Sequence, residues 1–143
     1  MIQRQRAQNG VIMFITMNTW HRRQVFVHPN FAQKAIDYLY ALAKKHNVLI
    51  YGFVVMPDHI HLLVKIQAPY TADAFVNDYR TGLSFELGTG AFFEEYVDLR
   101  MPQKPQEKLE YMHDKPFKAG LCDNPKNYPW SSASNPAAQT PLP

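Results

Sequence analysis

Residues 47 to 66, NVLIYGFVVMPDHIHLLVKI, form an apolar run long enough to cross a bilayer, but Pro57, Asp58, His59 and His61 break it at its centre. Those groups are costly in hydrocarbon, so a membrane span is excluded. The two halves, 48–56 and 59–66, are rich in β-branched and aromatic residues and flank a Pro-containing tight connection. They predict two antiparallel strands turned at Pro57-Asp58. The run that looks most like a membrane anchor is therefore a hairpin.

Other periodicities supply partners for it. VIMFITMNT (11–19) predicts a further strand. From Pro29 to His46, Phe31, Ala35, Ile36, Leu39, Leu42 and Ala43 recur at three and four, with Pro29-Asn30 as a start signal, which predicts an amphipathic helix. Residues 72–87 read as a short helix ended by GTG at 88–90, and 92–101 as an edge strand or extended segment. QEKLEYMHD (106–114), with Pro105 before it and Pro116 after it, predicts a last helix that stops at Pro116. A chain of 143 residues with these elements reads as one α+β domain over 1–132 and a Pro-rich, poorly ordered tail over 133–143. The N-terminal segment has no apolar core of signal-peptide length, so a cytoplasmic protein is expected. Cys122 is the sole cysteine, which excludes an intrachain disulfide and a zinc-finger framework. A metal would have to be held by His, carboxylate or amide groups.

Charge is unevenly spread. Residues 1–48 carry seven Lys/Arg against the single Asp37, whereas 70–98 carry Arg80 against six acidic residues. Arg4, Arg6, Arg22 and Arg23 could meet phosphates by displacing counterions, and a solvated charged surface explains them equally well.

In a strand, His59 and His61 point to one face and Ile60 and Leu62 to the other. Two imidazoles roughly 6.5–7 Å apart along a strand can converge on one cation. In an arbitrary strand such a pair is more often two hydrogen-bonded residues on a half-buried face. A partner for the pair stands in the last helix, where Lys108, Tyr111, Asp114 and Lys115 share a face. Tyr111 there could be an ordinary core aromatic, or, beside a metal, a nucleophile toward phosphorus.

Two separated stretches carry a resemblance. VVMPDHIHLLV (54–64) resembles the His-hydrophobic-His signature of the HUH single-tyrosine transposases. LEYMHDKPFKAGLCDNPKNYPWSS (109–132) resembles the C-terminal pattern of their REP-associated branch, in which a tyrosine and a Lys-Ala-Gly-Leu run precede Tyr-Pro-Trp-Ser-Ser. With the opening strand and helix, the likeness covers roughly 11–66 and 92–132. It implies a ferredoxin-like α+β domain whose central antiparallel sheet carries the histidines, with helices packed on it. It further implies nicking and joining of single-stranded DNA beside hairpins with Mg²⁺ or Mn²⁺, leaving a 5′-phosphotyrosine and a free 3′-hydroxyl. By position, His59 and His61 match the metal ligands and Tyr111 the nucleophile.

The chain departs from that pattern at Lys115, where the family carries an Asn or Gln as third ligand. An ammonium has no lone pair for a metal, so the substitute is Asp114, less easily His113, or the two histidines hold the cation with substrate and water alone; Lys115 is a candidate DNA contact. A domesticated relative that binds hairpin DNA without cutting it is the alternative reading. A histidine-triad nucleotide hydrolase needs a further alternating histidine where this chain has Leu63. The resemblance admits a homodimer, since insertion-sequence members work as dimers, and a monomer, since REP-associated members can act as one.

Overall fold

The computed structural model describes residues 2–4, 10–136 and 139–143. In chain order the elements are β1 (Ile2–Arg4), β2 (Ile12–Thr19), α1 (Pro29–His46), β3 (Leu49–Met56), β4 (His59–Lys65), α2 (Ala72–Leu87), β5 (Phe93–Arg100) and α3 (Pro105–Lys118). The sheet runs β1-β5-β2-β4-β3. Within it β5, β2, β4 and β3 each run antiparallel to their neighbours, in the strand order of a ferredoxin-like α+β fold, and β1 adds in parallel outside β5.

Strand alternation divides the sheet into two unlike faces. Met13, Ile15 and Met17 of β2, Phe53 and Val55 of β3, Ile60, Leu62 and Val64 of β4, and Val97 and Leu99 of β5 enter one core. α1 and α2 cover it with Leu39, Leu42, Phe75, Val76 and Leu83, each worth about 1.5–3 kcal/mol when fully buried. The opposite face holds a smaller cluster of Phe14, Tyr51, Val54, Met56 and Leu63, against which α3 lays Met112. His59 and His61 belong to this second face by their register with Asn18 and Thr16 of β2.

Local signals explain the element ends. α1 starts with Pro29 in its first turn and closes on Asn47, whose left-handed backbone lets its N–H donate to Ala43 O. Thr71 caps α2 by accepting from Ala74 N–H at 3.1 Å, and left-handed Gly88 ends it.

Two expectations are corrected. α3 does not stop at Pro116 but continues to Lys118, because the proline falls in the final turn. The absent N–H forfeits a single bond there, and Leu121 N–H returns to Pro116 O at 2.9 Å. Residues 93–100 are not the edge of the sheet, since Ile2–Arg4 pair with Val97–Leu99. The Pro-rich end also has partners: Thr140 N–H donates to Ile50 O at 2.8 Å, and Gln139 Nε2 donates to Ser132 O. Upstream of it, Val55 N–H donates to Trp130 O at 2.8 Å, Tyr128 Oη–H to Val55 O at 2.7 Å, and Phe53 N–H to Ser132 Oγ at 3.0 Å. The C-terminal segment thus runs along the outer side of β3.

Gly52 sits where a register shift interrupts β3 under α3. A β-carbon there would come within 2.4 Å of Leu109 Cδ1 and 2.9 Å of Met112 Cε, so α3 seats against bare backbone. Gly52→Val is expected to lift α3 from the sheet and to lower stability by about 1–3 kcal/mol, read as a shift of the urea midpoint. An unshifted midpoint would show that Leu109 and Met112 repack without cost.

Candidate active site

β4 places two imidazoles side by side beneath α3. His59 and His61 are 7% and 5% exposed, with ring centroids 4.8 Å apart and planes at 76°. Each Nδ1 is held from behind. His59 Nδ1–H donates to Asp58 Oδ1 at 2.7 Å, and His61 Nδ1 lies 2.9 Å from Thr16 Oγ1. The Asp58 contact fixes the tautomer of His59 and leaves its Nε2 as a lone-pair donor, the arrangement by which a carboxylate orients a metal-ligating histidine. Arg22 in turn holds Asp58, with Nε donating to Oδ2 at 3.1 Å and Nη2 lying 3.3 Å from His59 Nδ1.

The electrostatics keep both rings neutral. Burial lowers the pKa of His59; the Asp58 carboxylate opposes this, while Lys115 and Arg22 reinforce it. Burial pushes His61 down to about 3, with the charges of His59, Lys115, Lys108 and Arg22 adding to the effect. Burial would raise the Asp58 carboxyl, but its bonds to Arg22 and His59 outweigh that and hold it below its ordinary value.

These residues fit a divalent cation in part. Neutral imidazoles are the ligating form, and His61 Nε2 is buried without a hydrogen-bond partner, an atom whose desolvation a metal bond would offset. Among the described residues no third His, Cys, Asp or Glu closes on the pair, so Asp114 does not complete a protein ligand set. It stands on α3 beside His113, whose Nε2 is engaged with Ser132 Oγ at 2.7 Å. Two histidines would hold such an ion, with substrate and water supplying the other positions.

Tyr111 faces this pair from α3. Its ring centroid is 6.1 Å from that of His61 and 6.3 Å from that of Phe14, yet the residue remains 43% exposed. Lys108 Nζ lies 5.0 Å and Lys115 Nζ 5.5 Å from its ring centroid. Tyr111, His59, Asp58, Lys115 and Gln24 line one cleft of ≈ 470 Å³. A larger cleft of ≈ 610 Å³ lies between the end of α2 and the start of β5, but Phe85, Phe92 and Phe93 dominate it and no imidazole reaches it. The smaller cleft is where the chemically competent groups meet.

Of the basic residues read as DNA contacts, Arg22 is drawn into the site and Arg23 is exposed beside it. Arg4 ends β1 opposite Leu99. Arg6 lies outside the described residues. Sequence reasoning missed the roles of Thr16 and Asp58, while Lys108 was placed on the face of Tyr111 without a role. Asp58 adjoins the first histidine and could have been found there; Thr16 becomes visible only through the β2–β4 register.

The neutral state of His61 predicts a pH dependence of the metal-free protein. The unfolded chain takes up a proton below the ordinary histidine value of 6.5, whereas the folded site does so only near 3. Stability from this group is therefore complete above about 6.5 and declines toward pH 3, by up to about 1.4 kcal/mol per pH unit. Urea midpoints should fall as pH drops from 7, and His61→Gln should flatten that fall. A wild-type profile that stays level to about pH 4 would mean that His61 protonates freely in the fold.

Comparison with known proteins agrees with this architecture. The backbone is similar to that of a REP-associated tyrosine transposase bound to a REP hairpin, with a TM-score of 0.82 at 16% identity over 99% of this chain and 87% of that one. It is also similar to a protein from Deinococcus radiodurans R1 described as a candidate transposase, with a TM-score of 0.57 at 16% identity over 78% of this chain and 90% of that one. No curated protein sequence matches significantly. Residues 8–95, more than half of the chain and including both histidines, match the IS200-like transposase model, and the chain belongs to that family.

Proposed function

We propose that the chain is a divalent-metal-dependent enzyme that nicks and joins single-stranded DNA at hairpin or repeat sequences through Tyr111. The observation that carries this reading is the exposed Tyr111 ring, which shares a cleft with His59 and lies 6.1 Å, centroid to centroid, from His61, its neutral and buried neighbour. The similar structure bound to a REP hairpin supports hairpin DNA as the substrate class.

In this reading His59 and His61 would hold a Mg²⁺ or Mn²⁺ ion, which when bound would supply the positive charge that polarises a phosphoryl oxygen. The chain's own groups do the rest. Asp58 and Thr16 engage the Nδ1 atoms and leave both Nε2 atoms free to ligate, and α3 would present the phenol to the phosphate. Tyr111 Oη loses its proton and bonds to phosphorus while the P–O3′ bond breaks. The departing 3′ oxygen takes a proton, leaving a 3′-hydroxyl and a 5′-phosphotyrosine. Attack by a 3′-hydroxyl on that phosphotyrosine reverses the step and joins strands.

A second reading has its own observation. Lys115 stands in the cleft where the family resemblance calls for an amide, and no third ligating residue is gathered among the described residues. A hairpin binder that has lost cleavage would look like this. Incubating the protein with 5′- and 3′-labelled single-stranded hairpins and Mn²⁺ separates the two. The enzyme gives a denaturation-resistant adduct that retains the 3′ label, held through the 5′ phosphate of the strand downstream of the break, and releases the 5′-labelled fragment with a free 3′-hydroxyl; binding without adduct at any metal concentration supports the binder instead.

A further inference from the structure

We propose that Trp20 is a stacking platform for an unpaired nucleobase of the strand led into the His59–Tyr111 cleft, an inference that rests on the reading that this chain handles single-stranded DNA. Trp20 follows β2 and anchors its own backbone by donating N–H to Phe92 O at 2.7 Å. The next two residues, His21 and Arg22, both adopt left-handed backbone with φ of 55° and 54°. Side-chain-bearing residues avoid that region, and neither position is glycine.

The surroundings hold the turn in this state. Thr19 N–H donates to Asp58 O at 3.0 Å, and its hydroxyl lies 2.7 Å from Arg23 O and 3.1 Å from Asp58 O. The turn is therefore locked onto the β3–β4 connection that carries the first histidine. One result is that Arg22 turns inward to Asp58. The other is that Trp20 is left 52% exposed, its indole edge-on to His21 with centroids 4.5 Å apart.

An exposed indole could serve any apolar partner, and charge decides among them. Arg22 is held on Asp58, but exposed Arg23 stands three residues from Trp20 and suits a phosphate beside a stacked base. The exposed Phe85 makes the contrast, because it sits beside Glu86 in the acidic half of the chain. Position points the same way. Trp20 and Arg22 Cα atoms are at most about 7.6 Å apart, and Arg22 Nη2 is 3.3 Å from the His59 ring. A base on Trp20 would belong to a nucleotide close to the phosphate in the cleft. Stacking of this kind reads the π-face rather than hydrogen-bonding edges, so it tolerates any base.

The test uses the full chain, a single-stranded hairpin oligonucleotide with an unpaired flank, and a set of the same oligonucleotides with one abasic position moved along that flank. Trp20→Ala should weaken binding of the intact strand by roughly five- to a hundred-fold, whereas Trp20→Phe should retain most of the affinity. One abasic position should weaken binding to wild type by a similar factor and leave the Ala variant unaffected. If wild type binds the hairpin but Trp20→Ala binds it equally well, or no abasic position is silent in the variant, the platform is disproved and the DNA reading stands. If wild type fails to bind single-stranded DNA, both fall together.

Discussion

Tyr111→Phe is expected to abolish the covalent protein–DNA adduct while leaving hairpin binding nearly unchanged. The substitution keeps the ring, its edge contact with Phe14 and its place between Lys108 and Lys115, and removes only the oxygen that would bond to phosphorus. Loss of a covalent nucleophile costs at least about a thousand-fold in rate, far beyond a packing effect at a residue this exposed. Binding and adduct must be measured on one protein preparation, because only their divergence separates chemistry from folding. Full adduct formation by the Phe variant would transfer the nucleophilic role elsewhere and remove the central assignment.

Lys115→Asn is expected to tighten Mn²⁺ binding on the order of ten-fold and to raise the nicking rate with it. Lys115 shares the cleft with His59, and its charge depresses proton binding by both imidazoles, so it opposes a metal cation by the same repulsion. An amide oxygen in its place removes that repulsion and adds a ligand. Calorimetric titration with Mn²⁺ reads the affinity without DNA, and a gel assay reads nicking. Tighter metal with activity appearing only in the variant would mark the wild type as the cleavage-deficient hairpin binder. If the variant instead binds metal more tightly but nicks more slowly, the ammonium grips the strand, and its departure from the family pattern is an adaptation.

The parts of this molecule legible in sequence are those set by local periodicity. α1 is found over its full Pro29–His46 extent because its apolar spacing, initial proline and terminal basic residues agree. The β3–β4 hairpin and the shared face of His59 and His61 follow from alternation alone. β1 could not be foreseen, because three residues are too short for a pattern and gain their pairing only from β5. Pro116 misled because a proline breaks a helix interior but is tolerated in a last turn. In the candidate site, Tyr111 and the histidines were reachable through spacing and family pattern. Asp114 is not among the residues lining the cleft, and among the described residues no third His, Cys, Asp or Glu gathers with the histidines. Arg22 was read as a candidate DNA contact on the surface; it is exposed, and its bond to Asp58, set by the left-handed turn, leaves no compositional trace.

The C-terminal segment along β3 has a consequence for how copies of this chain meet. A sheet edge with open amides and carbonyls is a template on which another strand can polymerise. Here the outward groups of Phe53 and Val55, and the carbonyl of Ile50, are already taken by Tyr128, Trp130, Ser132 and Thr140. Growth of the sheet past β3 would first require peeling away the chain's own end and exposing Val54 and Met56 to water. Such peeling sets a kinetic threshold against strand exchange and fibrillar stacking, so crowding alone should not drive this edge to self-associate. At the β3 side, assembly that leaves the fold intact must instead use side-chain surfaces rather than open backbone.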